Sequence, residues 1–214
     1  MSVAVKICGL STPADVLAVN AAQADYAGFV FFEKSPRNVT PQTAGDLAAG
    51  LADSVRSVAL LVNPSDADCT ALLETFNPDI IQLHGSETPA RVAAVKTLCA
   101  RPVIKALGVS TSADIEASQD FAQSADMLLF DAKPPVDAAL PGGRGVAFDW
   151  SLLNGYKGGL SWMLSGGLTV ENVADAIAAT GTSAVDVSSG VESSPGVKAA
   201  DKISDFVRAA KATA

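Results

Sequence analysis

The sequence predicts an α/β protein, a single-domain (β/α)8 or TIM barrel over residues 1–214. Three observations predict it. Short apolar, β-branched runs alternate with longer stretches of helical period. Their starts recur about every 22–35 residues, the length of one β-loop-α-loop unit. The series reaches eight units without a hydrophilic linker, which suits a lean barrel near the lower size limit of its class. A doubly wound open sheet is the alternative, and it more often carries a Gly-x-Gly-x-x-Gly turn after its first strand. Here that turn reads Cys8-Gly9-Leu10-Ser11, so the barrel is favoured.

Taken in order, the strands are expected at Val3–Ile7, Tyr26–Phe32, Ser57–Val62, Ile80–Leu83, Pro102–Ala106, Met127–Asp131, Trp162–Leu164 and Ala184–Val187. Each is a short apolar run of the kind that parallel strands, covered on both faces, require. Between them lie helices with apolar positions at a period of 3.6. The first, Thr12–Ala22, opens on Ser11-Thr12-Pro13, a cap followed by proline in the first turn. Pro41–Leu51 repeats the device at Thr40-Pro41, and Asp66–Phe76 follows Ser65 with two aspartates in its first turn. Thr88–Cys99, Asp114–Phe121 and a short segment at Asp149–Leu153 come next. Val170–Ala179, with Thr169 as cap ahead of Glu171, and Ala199–Ala212 complete the set.

Composition narrows the function. The formal charge is −8 and the pI near 4.5, with no basic stripe to neutralise phosphates, which argues against a nucleic-acid partner. Met1–Cys8 lacks the long apolar run of a secretory signal, and no stretch is long enough to span a bilayer. The three cysteines, Cys8, Cys69 and Cys99, lie far apart, and His84 is the one histidine. Neither a disulfide framework nor a zinc cluster can be built from them, so no metal is expected and the cytoplasm is the expected compartment.

In a barrel, functional groups belong at the C-terminal strand ends and in the loops that follow. Strands seven and eight end in Ser165-Gly166-Gly167 and Ser188-Ser189-Gly190, each expected to lead into a helix. Small residues let backbone N–H groups approach an anion, and a helix N-terminus adds partial positive charge. Ordinary turns also use glycine, but two such turns in adjacent final units favour a small phosphorylated ligand.

Alternation in the first strand places Lys6 and Cys8 on one face, expected to be the barrel interior. Cys8 then sits at the rim, where it is either inert core or a reactive thiol. Cys69 and Cys99 fall in helix patterns and read as core. Asp131 ends the sixth strand as either a loop cap or an acid–base group whose pKa desolvation would raise. With Cys8 it offers an acid and a base for proton transfer without a cofactor. Arg37, stiffened by Pro36, could clamp a carboxylate through its fork, against a default of a solvated loop charge. Gln82 and His84 share one strand face and are expected to contact a ligand in the pocket. Lys6 and Asp186 are expected to pair where strands one and eight close the barrel.

Read together, Val5-Lys6-Ile7-Cys8-Gly9, Glu33-Lys34-Ser35-Pro36-Arg37, Gln82-Leu83-His84-Gly85, Phe130-Asp131, Phe148-Asp149-Trp150, Ser165-Gly166-Gly167-Leu168 and Asp186-Val187-Ser188-Ser189-Gly190-Val191-Glu192 form an ordered series. That series resembles the phosphoribosylanthranilate isomerases of tryptophan biosynthesis over nearly the whole chain. The resemblance implies a cofactor-free Amadori rearrangement of N-(5-phosphoribosyl)anthranilate to 1-(2-carboxyphenylamino)-1-deoxyribulose 5-phosphate. It implies Asp131 as general acid, Cys8 as the base, Arg37 on the anthranilate carboxylate, and Gly166, Gly167, Ser188, Ser189 and Gly190 around the phosphate. The chain departs from the family pattern at Gly142-Gly143-Arg144-Gly145, where arginine replaces a small residue and is expected to face solvent. Leu10-Ser11 stands where an isoleucine–threonine pair is usual.

Two rivals remain at this level. Another phosphosugar ketol-isomerase, such as the histidine-pathway enzyme, resembles the chain less because it has aspartate where Cys8 stands. A non-catalytic phosphate-binding barrel would keep the glycine turns but need neither Cys8 nor Asp131. Monomer and homodimer are both compatible with the sequence.

Overall fold

The eight expected strands are all present and close on themselves. The computed structural model describes residues 3–133, 148–154, 156 and 158–213. The barrel runs β1 Ala4–Cys8, β2 Tyr26–Phe31, β3 Arg56–Leu61, β4 Ile80–Leu83, β5 Val103–Val109, β6 Met127–Ala132, β7 Ser161–Leu164 and β8 Ala184–Val187. All neighbours are parallel, and β8 returns to β1 with Lys6 opposite Asp186. Strand edges differ from expectation by a residue, except that β5 runs on past Ala106. Its extra length is held by β6, through Leu107 opposite Phe130 and Val109 opposite Ala132.

Outside the barrel lie α1 Pro13–Ala22, α2 Pro41–Ala48, α3 Asp66–Thr75, α4 Pro89–Cys99, α5 Ser112–Ala117, α6 Val173–Thr180 and α7 Ala200–Lys211. Among the described residues none is long and apolar enough to cross a membrane. Thr12 and Ser65 cap α1 and α3 in full capping boxes with Asp15 and Asp68, and Thr40 caps α2 ahead of Pro41. The helical pattern after Thr111 splits into α5 and a 3-10 turn, Ser118–Phe121, and the short sixth segment is also a 3-10 turn, Trp150–Leu153.

Two expectations need correction. The helix after β7 starts at Val173, with Asn172 rather than Thr169 at its N-cap. Asn172 instead closes the preceding turn, accepting from the Thr169 N–H at 2.8 Å and donating to the Gly167 carbonyl at 3.0 Å. Nor does β8 lead straight into a helix. It passes through a 3-10 turn, Ser189–Val191, and then an antiparallel hairpin, β9 Glu192–Ser194 and β10 Val197–Lys198, before α7 begins. Gly196 turns the hairpin at φ +83°, a conformation that favours glycine.

Apolar burial is split by the sheet. The larger core lies between strands and helices and includes Val5, Ile7, Phe29, Phe76, Leu83 and Phe206. A smaller one fills the barrel interior with Val58, Ile80, Ile104, Ala106, Leu129, Met163 and Ala184. Successive strand residues face opposite ways, so each strand serves both cores.

Lys105 lies between Ile104 and Ala106 in sequence and therefore points outward, yet it is 1% exposed. Its ammonium donates to Glu87 Oε2 at 2.7 Å and to the Gly85 carbonyl at 2.8 Å. Burial pulls the Lys105 pKa down, with Glu87 opposing. Glu87 also accepts from the N–H groups of Asn63 and Gly85, so one buried ion pair ties together the loops after β3 and β4. Replacing Glu87 with alanine would leave a buried ammonium uncompensated. Glu87→Ala is expected to cost about 3–5 kcal/mol in urea denaturation, and a loss below about 1 kcal/mol would show the pair to be dispensable.

Candidate active site

The face that carries the inner core also carries the rim. Ala4, Ile80, Leu129, Met163 and Ala184 pack inside the barrel. Stepping up each of those strands by two and four residues reaches Cys8, His84, Asp131, Ser165 and Ser188 at the C-terminal ends. Five strands thus deliver polar groups to one mouth through nothing more than the period of two.

Cys8 packs with Val30 and Leu60 above the inner core and is 4% exposed. Lys6, two residues below it, is fully buried and donates to Asp186 Oδ1 at 2.7 Å, the pairing expected at the β1–β8 seam. Asp186 accepts also from Ser165 Oγ at 3.1 Å. Burial works against the Lys6 charge, but Asp186, with Cys8 when ionised, outweighs it and holds the Lys6 pKa above its usual value. Burial likewise pushes the Cys8 thiol up; the Lys6 and Lys198 ammoniums pull it down, while Asp186 pushes it further up.

Asp131, 5% exposed, accepts from the Ala132 N–H at 2.9 Å and lies 3.2 Å from His84 Nε2. The Gln82 amide nitrogen sits 3.2 Å from His84 Nδ1. The Gln82 side-chain amide thus meets one ring nitrogen of His84, and the other, Nε2, is the one that faces Asp131. The structure therefore brings Gln82, His84 and Asp131 into one chain. Gln82 Oε1 is buried with no partner among the described residues.

Arg37 is not a solvated loop charge. It is 6% exposed, and its fork closes on Glu192, Nε to Oε1 at 2.7 Å and Nη2 to Oε2 at 2.8 Å. The bidentate edge expected for a ligand carboxylate is thus taken by a protein carboxylate, as a buried guanidinium requires. Lys198 joins the cluster, donating to Glu192 Oε1 at 2.8 Å and to the Ser188 carbonyl at 2.9 Å. Burial opposes the Glu192 charge, but Arg37 and Lys198 prevail and hold its carboxyl below the usual range. Burial pulls Lys198 down. Ser188 Oγ then donates to the Cys8 carbonyl at 3.0 Å, so the hairpin braces the top of β1.

Gly166 and Gly167 adopt φ of +88° and +65°. A Cβ on Gly166 would stand 2.6 Å from the Ala132 nitrogen, and one on Gly190 would stand 1.9 Å from the Leu168 carbonyl oxygen. The turns after β7 and β8 are therefore in contact, and glycine is what permits it. Among the described residues no backbone carbonyl takes up the N–H of Gly166, Gly167, Ser189 or Gly190. A helix N-terminus does not stand directly behind the second turn, because the 3-10 turn and hairpin intervene. The Gly142-Gly143-Arg144-Gly145 segment lies outside the described residues.

The N-(5'phosphoribosyl)anthranilate (PRA) isomerase family matches the chain over residues 5–209. The chain belongs to that family. It is 56% identical over 214 residues to the N-(5'-phosphoribosyl)anthranilate isomerase of Paracoccus denitrificans, covering all of this chain and 99% of the relative. It is 52% identical to that of Paramagnetospirillum magneticum, over 99% of this chain and 98% of the relative. The crystal structure of the phosphoribosyl anthranilate isomerase from Thermotoga maritima superposes with a TM-score of 0.86 at 36% identity, covering 98% of this chain and 99% of that one. Another solved member, in complex with reduced 1-(o-carboxyphenylamino)-1-deoxyribulose 5-phosphate, superposes with a TM-score of 0.83 at 34% identity, over 98% and 99% of the two chains.

Three residues of this isomerase-family site were not singled out in the sequence. Glu192 lay inside a quoted motif, and its charge beside a glycine turn was the available signal. Lys198 carried none, since its role depends on the hairpin. Gly28 reads as an ordinary strand glycine, but a Cβ there would stand 3.0 Å from Cys8 Sγ and 3.2 Å from Lys6 Nζ. For the glycine turns, Gly166→Ala is expected to weaken inorganic phosphate binding at least about tenfold by titration calorimetry, because strain and overlap displace the turn. Unchanged phosphate affinity would remove Gly166 from the anion site.

Proposed function

We propose that Cys8 and Asp131 are the base and acid of a cofactor-free Amadori rearrangement, with N-(5-phosphoribosyl)anthranilate as substrate. The reaction is that of an aldose–ketose isomerase of tryptophan biosynthesis. The observation that carries the proposal is the arrival of a thiol and a carboxylic acid, from β1 and β6, at one mouth beside two contiguous glycine turns.

The proton inventory is simple. Asp131 gives a proton to the ribose ring oxygen as the C1–O bond breaks, and the anthranilate nitrogen supplies the electron pair for the Schiff base. Cys8, as thiolate, takes the C2 proton, and those electrons flow back toward nitrogen to give the enolamine. One proton has entered and one has left. The enolamine then tautomerises to the ketone, and Cys8 and Asp131 regain their starting protonation by exchange with solvent.

His84 Nε2 faces Asp131 Oδ2 and the Ala132 N–H donates to Oδ1, so both oxygens of the acid are held in place at the mouth. The substrate phosphate lies on the N–H groups of Gly166, Gly167, Ser189 and Gly190, with Ser188 bracing the turn. The anthranilate carboxylate meets Arg37 through Nη1, the amino group that Glu192 leaves free. Gln82 is fully buried and acts through His84, whose Nδ1 its side-chain amide meets at 3.2 Å. All of these groups come from one chain, so monomer and homodimer serve equally. The three cysteines are free, which supports a reducing compartment, the cytoplasm.

The parent chain is expected to convert freshly generated substrate, followed by loss of its fluorescence. Cys8→Ser and Asp131→Asn are each expected to lower kcat about 10²–10⁴-fold with the circular dichroism unchanged. No turnover by a folded, phosphate-binding parent would sink the substrate assignment and favour the binding barrel.

The pH profile gives a second check. Cys8 works deprotonated, and burial pushes its thiol above the ordinary value. Below that raised pKa the thiolate fraction climbs about tenfold per pH unit. The rate of Cys8 alkylation by iodoacetamide, which reads the thiolate alone, is therefore expected to rise through neutral into the alkaline range, and a rate flat from neutral upward would show that the thiol is not held above its ordinary value.

A further inference from the structure

We propose that Lys6 is the positioning residue for Cys8: its ammonium, anchored by Asp186 below the thiol, stabilises the thiolate that acts as base. The inference rests on the reading of Cys8 as the base and adds the group that makes a buried thiolate possible.

Lys6 has no exposed surface, and a buried ammonium costs several kcal/mol unless neighbours compensate it. For stability alone, an apolar pair across β1 and β8 would serve at least as well. The inner core around it is otherwise aliphatic, with Val58, Ile80, Leu129 and Met163. A charge kept at this depth therefore points to a use within the barrel.

Its place identifies the use. Lys6 and Cys8 share the inner face of β1, and both side-chain tips crowd the same spot above Gly28. A Cβ there would stand 3.0 Å from the sulfur and 3.2 Å from the ammonium nitrogen. Gly28 sits opposite Cys8 in the β1–β2 register, so any larger residue would press on both tips and on the Cys8 backbone. Below, Asp186 grips Lys6 at 2.7 Å and takes a second hydrogen bond from Ser165 at the start of the β7 turn. The ammonium is thus fixed between one permanent anion and one that forms and disappears as Cys8 gains and loses its proton.

Other charges face Cys8 as well. Lys198 on β10 favours the thiolate and Asp186 on β8 disfavours it. Arg37 packs its side-chain carbons against Gly9 at the top of β1, but its charge is spent on Glu192. From β2 the neighbours are Gly28 and Val30, which carry none. Asp131 stands on β6 and His84 just past the end of β4, and neither strand adjoins β1. Lys6 is the largest influence toward the thiolate, and the burial of Cys8 is what it opposes.

The test separates this role from a structural one. Lys6→Met alone would strand Asp186, so the primary variant is Lys6→Met with Asp186→Asn, which removes both charges. Gly28→Ala, which retains both charges and crowds the two tips, is the second. The rate of Cys8 alkylation by iodoacetamide is followed against pH by peptide mass spectrometry, with the buried Cys69 and Cys99 reporting an intact fold. Each variant is expected to raise the pH midpoint of Cys8 alkylation by about one unit or more. That shift leaves about tenfold less thiolate near neutrality. In the isomerase assay kcat is expected to fall about tenfold at neutral pH and to recover in alkali, with KM little changed. A structural defect would not recover with pH. An unchanged alkylation midpoint in a folded variant overturns the proposal, and so does a shifted midpoint that leaves the kcat profile untouched. Failure of the parent to turn over substrate would instead overturn Cys8 as base, and the alkylation midpoint would still report whether Lys6 governs the thiol.

Discussion

The ion pair between Lys6 and Asp186 is the interaction on which most of the arrangement depends. It sits where the last strand meets the first, inside the barrel, so it marks both the closure of the sheet and the floor of the site. A one-residue slip between β1 and β8 would turn Lys6 or Asp186 toward the helices and leave two charges buried without partners. The cost of that error, several kcal/mol per ion, makes the pair a register lock as well as a chemical device. Its hydrogen bond from Ser165 carries the same constraint into the turn after β7.

A second cluster orders the rim. Arg37, Glu192 and Lys198 place three charges at the base of the β9–β10 hairpin, and the hairpin tip at Gly196 presses on the Pro36 carbonyl. The loop after β2 and the segment after β8 are thereby one unit, although residues 37 and 192 are far apart in sequence. Spending the bidentate edge of Arg37 on Glu192 fixes the guanidinium plane in advance.

Glu87 and Lys105 do comparable work on the opposite side, outside the barrel wall, where they bind the loops after β3 and β4. His84 stands on the second of those loops and reaches Asp131. Three buried charge clusters thus surround one mouth, each joining segments that the chain order keeps apart. The apolar cores set the shape of the barrel, and these clusters set the directions in which its polar groups point.

The sequence by itself determined the eight strands, most helix starts, the inner face of β1 and the positions of Cys8, Asp131 and the glycine turns. Those features follow from local rules: a period of two or 3.6, a cap, a residue at a strand end. The Lys6–Asp186 pair was also legible, because strands one and eight must adjoin in any closed barrel. The hairpin after β8, the late start of α6, the fork of Arg37 on Glu192 and the Gln82–His84–Asp131 chain were not. Each is decided by a partner remote in sequence, or, for α6, by Asn172 closing a turn rather than capping its helix conventionally. Tertiary structure chose among local conformations of similar energy there, since only the folded barrel shows which buried charge needs which counter-charge.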